Sequence, residues 1–127
     1  MAVGFDLAAA EAVLTLRAAH PDVRLVAVVP FRGQEERFSP ADRVRFLRAV
    51  AAADEVEVLA GGYRRGCYAV RNDFLVDRAA LVVAWYDGSP GGTRYTLRRA
   101  LARGREVWNL HPSGGGLAIR PVQPALF

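Results

Sequence analysis

Hydrophobic positions follow two alternating patterns along the chain. Spacing of three and four residues predicts helices over 6–19, 67–78 and 94–103, and one more that begins at Ser39. Short apolar runs predict strands over 23–29, 55–59, 81–86 and 106–110. Because strands that alternate with helices form parallel sheets with right-handed crossovers, the pattern predicts an α/β fold with helices on both faces of a parallel sheet.

Residues at the predicted helix ends and along the helix faces refine this picture. Asp6 is the expected N-cap of the first helix, Ser39 that of the second with Pro40 behind it, and Gly104 ends the last. The apolar side chains expected on the helices and in the strands of the core are Val44, Leu47, Val50 or Ala51, Val70, Phe74, Leu75, Leu97, Ala100, Leu101, Trp85 and Trp108.

Length and composition place limits on the class of protein. The 127 residues fit one domain, expected over 1–110, followed by an irregular glycine- and proline-rich tail over 111–127 with a short extended piece at 117–119. No apolar run is long enough to span a bilayer, and the first residues lack the basic segment of a signal peptide, so we expect a cytoplasmic protein without a membrane partner. A single cysteine, Cys67, excludes an internal disulfide and a multi-cysteine metal site.

The net charge of +4 comes from a chain whose 17 basic residues are all arginine. Arginine binds phosphate in a planar, bidentate manner, which favours an anionic ligand. A GC-rich genome explains the arginines more simply, and no basic block of the kind found in nucleic-acid tails is present.

The stretch 87–93, Asp-Gly-Ser-Pro-Gly-Gly-Thr, lies between the most apolar run and the last predicted helix. A glycine-rich turn that opens into a helix N-terminus can hold an anion, because backbone amides are unsatisfied there and the helix dipole favours negative charge. An ordinary strand-to-helix turn explains the same glycines equally well. Ligands of parallel sheets bind at the carboxyl ends of strands, which selects the loops 30–38, 61–66 and 87–93.

Four segments in the order of the chain resemble the YpsA-like family of the SLOG superfamily, which also includes DprA/Smf proteins and LOG-type phosphoribohydrolases. The first is the glycine turn and helix that starts at Gly4, and the second is the Pro-Phe-x-x-Gln-Glu loop at 30–35. The third is the Arg-Asn-x-x-apolar-Val-Asp helix at 71–77, and the fourth is the glycine motif at 86–96. Together the segments span residue 3 to about residue 110.

The resemblance implies a Rossmann-like fold and a nucleotide or nucleotide-derived ligand, similar to ADP-ribose, NAD or a nucleoside monophosphate, bound in a sensing or regulatory role. Phosphate would lie at the helix after Gly92 and Thr93, and the turn at Gly4 would line the opposite wall. The resemblance and the loops together give these candidate ligand-binding residues: Gly4, Asp6, Gln34, Glu35, Arg71, Asn72, Asp87, Gly88, Gly91, Gly92 and Thr93. No cofactor beyond this possible nucleotide and no metal site is expected.

Several of these residues also have purely structural explanations. Asp87 could accept from a ribose hydroxyl or cap its own turn, and Arg71 and Asn72 could contact a ligand or make a helix-to-loop hydrogen bond. Gln34 and Glu35 could belong to an ordinary surface loop. A nucleophilic role for Cys67 is disfavoured, because neither histidine falls in a loop expected to face the site.

Two departures from the family pattern change the expectations. Family members carry a strand–helix–strand segment before the part that matches Gly4, so the fold is expected to be N-terminally shortened. The exposed strand edges would then favour self-association, and we expect a homo-oligomer. LOG-type enzymes carry a catalytic glutamate about where Thr96 stands, and a threonine cannot supply a carboxylate.

Hydrolysis of an N-glycosidic bond, as in the phosphoribohydrolases, is therefore disfavoured but stays an alternative, with Glu35 or Glu36 as the available carboxylates. Whether the chain is an enzyme is left open, and no catalytic residue is assigned. A second alternative is single-stranded DNA binding, similar to that of the DprA/Smf proteins. It depends on a rim of basic residues, Arg32, Arg37, Arg64 and Arg65.

Overall fold

A computed structural model describes residues 1–113 and 120–121 of the chain. The helices are α1 (Phe5–Ala19), α2 (Pro40–Ala52), α3 (Cys67–Arg78) and α4 (Gly92–Ala102), with a short 3-10 helix at Gln34–Arg37. The strands are β1 (Val26–Val29), β2 (Glu55–Val58), β3 (Leu81–Ala84), β4 (Glu106–Asn109) and β5 (Arg120–Pro121). The predicted alternation of helices and strands is confirmed, with strands one to three residues shorter than expected.

Every strand pair among the described residues is parallel, which confirms the α/β, Rossmann-like class. The strands form two sheets instead of one: β1 pairs with β2, while β3, β4 and β5 pair in that order. The chain divides into two compact units, Met1–Cys67 and Tyr68–Phe127, and each has its own core. The split at residue 110 into a domain and a tail stays a prediction.

The predicted tail contributes strand β5, which lies parallel to β4 in the register Trp108↔Arg120 and Asn109↔Pro121. The extended piece predicted at 117–119 lies outside the described residues. No helix within residues 1–113 is long and apolar enough to cross a bilayer.

The core of the first unit is built from one side of α1 and of α2 against β1. Ser39 caps α2 as predicted, since its Oγ accepts from the amide of Asp42 at 3.2 Å, and Pro40 is the first helical residue. The buried side chains of this core are Met1, Leu7, Ala10, Leu25, Ala27, Val29, Phe46 and Ala49.

The predicted apolar stripe of α2 is wrong in its register. Val44 and Leu47 are 47% and 45% exposed, whereas Phe46 is only 3% exposed. Phe46 packs edge-on against Phe38 with ring centroids 5.6 Å apart, a usual separation for an aromatic pair. Both stripes have helical spacing, and the one that buries the large aromatic ring faces the core because it removes more apolar surface from water.

Asp54 joins the starts of β1 and β2 to α1. Its Oδ2 accepts from the backbone amide of Leu25 at 2.8 Å and from Arg17 Nη1 at 2.8 Å. In return, the Asp54 amide donates to the Leu25 carbonyl at 2.9 Å. The Leu25 amide, followed by the Arg17 guanidinium, holds the pKa of the Asp54 carboxyl below its ordinary value.

The core of the second unit lies between one face of β3 and β4 and the helices α3 and α4. Leu97 and Ala100 are fully buried as predicted, but Leu101 is exposed, as are Val70 and Leu75. The buried members of this core are Val76, Ala84, Tyr86, Leu97, Ala100 and Val107. On the other face of the sheet, Val83, Trp85 and Leu110 are exposed, so the prediction that Trp85 is a core residue is wrong.

The register of α2 can be tested by truncating its two candidate core side chains separately. Phe46→Ala is expected to lower the free energy of unfolding by about 3–5 kcal/mol, because it removes a buried ring and leaves a cavity. Val44→Ala, the matched control, is expected to change it by less than about 0.5 kcal/mol. Urea denaturation followed by circular dichroism measures both, and a larger loss for Val44→Ala than for Phe46→Ala would contradict this register.

Candidate functional site

Helix α4 begins at Gly92, two residues earlier than predicted, so that Gly92 and Thr93 lie in its first turn. Gly91 is the N-cap residue and has no side chain with which to cap the helix. The first amides of a helix have no acceptor within it, and the positive end of the helix dipole lies there. The start of α4 therefore presents backbone donors to whatever occupies the space in front of it.

The turn before α4 has a backbone that requires glycine at two of its positions. Gly88 has φ 96° and Gly91 has φ 144°, both in the region that side chains disfavour. A Cβ added at Gly91 would meet no atom within 4 Å, so the space beside the turn is open. The whole stretch 87–93 is exposed.

Asn72 and Arg71 of α3 stand beside the start of α4. Arg71 is buried and donates from Nε to Asn72 Oδ1 at 2.8 Å. Because that bond occupies the oxygen, it fixes the amide so that Asn72 Nδ2 faces α4, 3.9 Å from where a Cβ on Gly92 would lie. The second unit thus brings the predicted residues Arg71, Asn72 and Gly92 together and adds a side-chain donor to the helix amides.

Two acidic residues of α3 hold α4 in this position. Asp73 accepts from the Tyr95 hydroxyl at 2.9 Å and pairs with Arg99 Nε at 3.0 Å. Asp77, which belongs to the family motif, pairs with the same guanidinium at 3.2 Å. The hydrogen bond to Asp73 also raises the pKa of the Tyr95 hydroxyl above its ordinary value.

Thr96 has its hydroxyl turned back into α4. Its Oγ1 donates to the carbonyl of Gly92 at 2.9 Å, a bond that threonine commonly makes one turn back in a helix. The side chain at the position where LOG-type enzymes carry glutamate is therefore part of the helix structure.

Asp87 caps its own turn. Its Oδ1 accepts from the Ser89 amide at 2.9 Å and from the Ser89 hydroxyl at 2.6 Å. These two bonds hold the pKa of the Asp87 carboxyl below its ordinary value, and the nearby His111 ring lowers it further. Of the two explanations left open for Asp87, the turn cap is observed, and a contact with a ribose hydroxyl stays a prediction.

Asn109, at the end of β4, is a functional candidate that the sequence did not reveal. It is 3% exposed, accepts from the Tyr86 amide at 3.0 Å and donates to the Tyr86 carbonyl at 3.0 Å. Its Oδ1 also accepts from the His111 amide at 3.1 Å. One side chain therefore fixes Tyr86, which precedes the turn 87–93, and His111, the second residue after β4.

His111 is a second residue near this turn that was not among the candidates, and a role for it at a ligand site is untested. It directly follows the carboxyl end of β4, packs edge-on against Trp85 with ring centroids 4.8 Å apart, and lies close enough to Asp87 to lower its pKa. The rule that ligands bind at the carboxyl ends of strands could have found it, had it been applied to the fourth strand as well.

The remaining candidate residues, Gly4, Asp6, Gln34 and Glu35, belong to the first unit. Gly4, with φ 79°, is the N-cap of α1, so the expected capping role of Asp6 is wrong. Asp6 lies in the first turn and accepts from the amide of Ala2 at 3.0 Å. The helix begins earlier than expected because glycine readily adopts the positive φ needed at this cap.

Gln34 is buried in the 3-10 helix and is not part of an open surface loop. Its Oε1 accepts from the Met1 nitrogen at 3.4 Å, and that nitrogen also donates to the Val28 carbonyl at 3.1 Å. Glu35, the next residue, is half-buried. The first unit thus brings Gln34 close to its first residues, while a ligand contact of Gly4, Asp6, Gln34 or Glu35 stays a prediction.

Two loops that carry arginines adjoin each other after β1 and β2. The Arg32 amide donates to the Ala60 carbonyl at 3.0 Å, and Phe31 packs edge-on against Tyr63 with centroids 5.5 Å apart. The exposed arginines on these loops are Arg32, Arg37, Arg64 and Arg65. Cys67, at the start of α3, is buried, and residues 1–113 hold no group of three side chains suited to a metal ion.

Comparison with known proteins agrees with the family that the motifs suggested. The family model described as "YspA SLOG family" (YpsA) matches residues 1–109. The chain is 30% identical to the SPbeta prophage-derived protein YoqJ of Bacillus subtilis over 125 residues, which cover 87% of this chain and 73% of YoqJ. It is 32% identical over 104 residues to the UPF0398 protein BH1768 of Halalkalibacterium halodurans, with 80% of this chain and 55% of that protein covered.

A UPF0398 protein of Bacillus cereus strain B4264 is 28% identical over 112 residues, with 86% of this chain and 60% of the relative covered. The chain thus spans little more than half the length of these UPF0398 relatives.

The role of Asn109 can be tested by Asn109→Asp, which keeps the shape of the side chain but removes its donor. At neutral pH the buried carboxylate would face the Tyr86 carbonyl, and we expect a loss of about 3 kcal/mol in the free energy of unfolding. Burial raises the pKa of the introduced carboxyl in the folded state, so the loss should shrink as the pH falls through that pKa and the donor is restored.

Urea denaturation of the wild type and the variant between pH 7 and pH 4 measures this effect. Asn109→Ala serves as the control, because it should be destabilised without any such recovery at low pH. Equal pH dependence of the two variants would contradict the two-point bond to Tyr86.

Proposed function

This chain belongs to the YpsA family of SLOG proteins, and on that basis we propose that it binds a nucleotide or nucleotide-derived ligand, with its phosphate at the start of α4. The proposed role is sensing or regulation. The observation that carries the proposal is the amide group of Asn72, which Arg71 orients so that its donor nitrogen stands beside Gly92.

The donors at the start of α4 suit a phosphate in number and in kind. The amides of the first turn point along the helix axis toward the open side of the turn, and Asn72 Nδ2 adds a donor from the neighbouring helix. The first turn of α4 contains no acidic residue, and Arg94 lies within it. An anion at this position would therefore meet the dipole, neutral donors and a positive charge together.

Hydrolysis is not part of the proposal, because the carboxylates of the second unit that lie around α4 are already engaged. Asp73 and Asp77 pair with Arg99, and Asp87 accepts from Ser89. A general acid or base needs a carboxyl that is able to reach the reacting group, and Thr96 supplies none.

A second candidate function is binding of single-stranded nucleic acid by the first unit. The observation in its favour is the contact between the loops after β1 and β2, which groups four exposed arginines with the exposed Tyr63. Arginines beside an exposed aromatic ring are the combination that binds phosphates and stacks bases. The spread of basic charge along the whole chain makes this the weaker candidate.

A thermal-shift panel tests the first function against the second. The panel contains AMP, ADP, ADP-ribose, NAD, inorganic phosphate and a short oligonucleotide. A ligand at about 100 times its dissociation constant is expected to add about 2.7 kcal/mol of stability and so to raise Tm. A rise with the oligonucleotide alone, lost steeply with added salt, would instead favour the second function.

Two isosteric variants then locate the phosphate. A Cβ at Gly92 makes an ordinary contact, so Gly92→Glu and Gly92→Gln both fit, and the two side chains differ in charge but hardly in shape. The Glu variant is expected to lose the nucleotide-dependent shift through charge repulsion, while the Gln variant keeps most of it. Equal shifts for the two variants would contradict phosphate binding at this turn.

We also propose that the chain self-associates through the exposed edge of β2. All four residues of β2 are exposed, and among the described residues this strand pairs only with β1. An edge strand with exposed valines is a template for pairing with another chain. A second copy of the same chain is the partner that is always present.

Light scattering after size exclusion tests this second proposal. The wild type is expected to have the mass of a dimer or larger species, and Val56→Lys with Val58→Lys is expected to shift it to a monomer. Val44→Lys, an equally exposed valine on α2, is the control and should leave the mass unchanged. A monomeric wild type would contradict self-association.

A further inference from the structure

Trp85 is a large aromatic side chain that the sheet presents to solvent at its carboxyl edge. It follows the last residue of β3 and is 50% exposed as a residue, while Ala84 and Tyr86 on either side of it are buried. The alternation of buried and exposed residues continues beyond the end of β3, since Asp87, two residues after Trp85, is also exposed. Val83 and Leu110 are exposed on the same face of the sheet, so Trp85 is the aromatic member of a small apolar surface.

The ring of Trp85 is held in place and does not stand alone. His111 packs edge-on against it, and the backbone of His111 is fixed by Asn109. The imidazole is held in turn, because Nδ1 accepts from the amide of Ser113 at 3.1 Å. A planar side chain that is positioned before a ligand arrives loses little conformational freedom when that ligand binds.

The position of this aromatic pair relates it to the proposed phosphate site. Residues 86–91 run from Trp85 to the start of α4 along the same carboxyl edge, where ligands of parallel sheets bind. A nucleotide has a flat aromatic base at one end and a phosphate at the other. The second unit offers a flat aromatic surface on one face of the sheet and a set of anion donors at the helix on the other face, so a nucleotide that contacted both would cross the carboxyl edge of β3.

We propose that Trp85 is the stacking surface for the base of the nucleotide, so that the site selects nucleotides over sugar phosphates that lack a base. This inference rests on the proposed function and adds the part of the ligand that is not phosphate. Stacking on an aromatic ring accepts any base, because each has a π-face, so it gives a preference for the class of nucleotides and not for one base.

Binding of AMP and of ribose 5-phosphate, which differ only in the base, tests the inference by isothermal titration calorimetry. The wild type is expected to bind AMP about 5- to 150-fold more tightly than ribose 5-phosphate, the range that one stacked base commonly contributes. Trp85→Ala should reduce this ratio to about 1 and leave the affinity for ribose 5-phosphate unchanged, while Trp85→Phe should restore part of the ratio.

Tryptophan fluorescence gives a second readout. AMP should quench the emission of the wild type and of Trp108→Phe, the matched control on β4, and should leave the emission of Trp85→Phe unchanged. Ribose 5-phosphate should quench none of them.

Three results would overturn the inference, each in a distinguishable way. If ribose 5-phosphate binds but Trp85→Ala keeps the preference for AMP, the base lies elsewhere and the phosphate site stands. If neither compound binds to the wild type, the proposed function fails together with this inference. If Trp85→Ala changes the mass in light scattering but not the preference for AMP, Trp85 belongs to a contact between two copies of the chain.

Discussion

The proposed site in the second unit depends on the buried side-chain amide of Asn109. Where β3 ends, the backbone of Tyr86 no longer has a strand partner, and Asn109 satisfies both its amide and its carbonyl. An unsatisfied buried backbone group costs about 1–3 kcal/mol, so a side chain that serves two of them is a strong constraint. The turn at Asp87 and the ring of Trp85 both adjoin Tyr86, so Asn109 fixes the point from which they start.

The other half of the site depends on how α4 is held against α3. Asp73 and Asp77 bind Arg99, and Asp73 also binds the Tyr95 hydroxyl, along the exposed sides of the two helices. Exposed ion pairs contribute little stability individually, and their value here is geometric. They fix the position of α4 along the axis of α3. That position determines whether Asn72 lies beside Gly92.

The sequence predicted correctly those features that depend on residues close together in the chain. Ser39 caps α2, Leu97 and Ala100 face the core, and the motifs identified the family, because each depends on spacing within a few residues. The core-facing stripe of α2 could not be predicted, since two registers of the helix fit the same pattern. The exposure of Trp85 could not be predicted either, since the pattern does not say which face of the sheet is covered. Asn109 was missed because its partners are 23 residues away in the chain.

The functional argument turns on which polar groups around α4 still have capacity for a ligand. The carboxylates Asp73, Asp77 and Asp87 already accept hydrogen bonds or pair with arginine, and Thr96 donates into its own helix. What the start of α4 offers is donors: the backbone amides of its first turn and the oriented amide of Asn72. An arrangement of donors whose neighbouring carboxylates are already engaged suits holding an anion better than cleaving a bond next to it. The proposal of nucleotide binding rests on these donors.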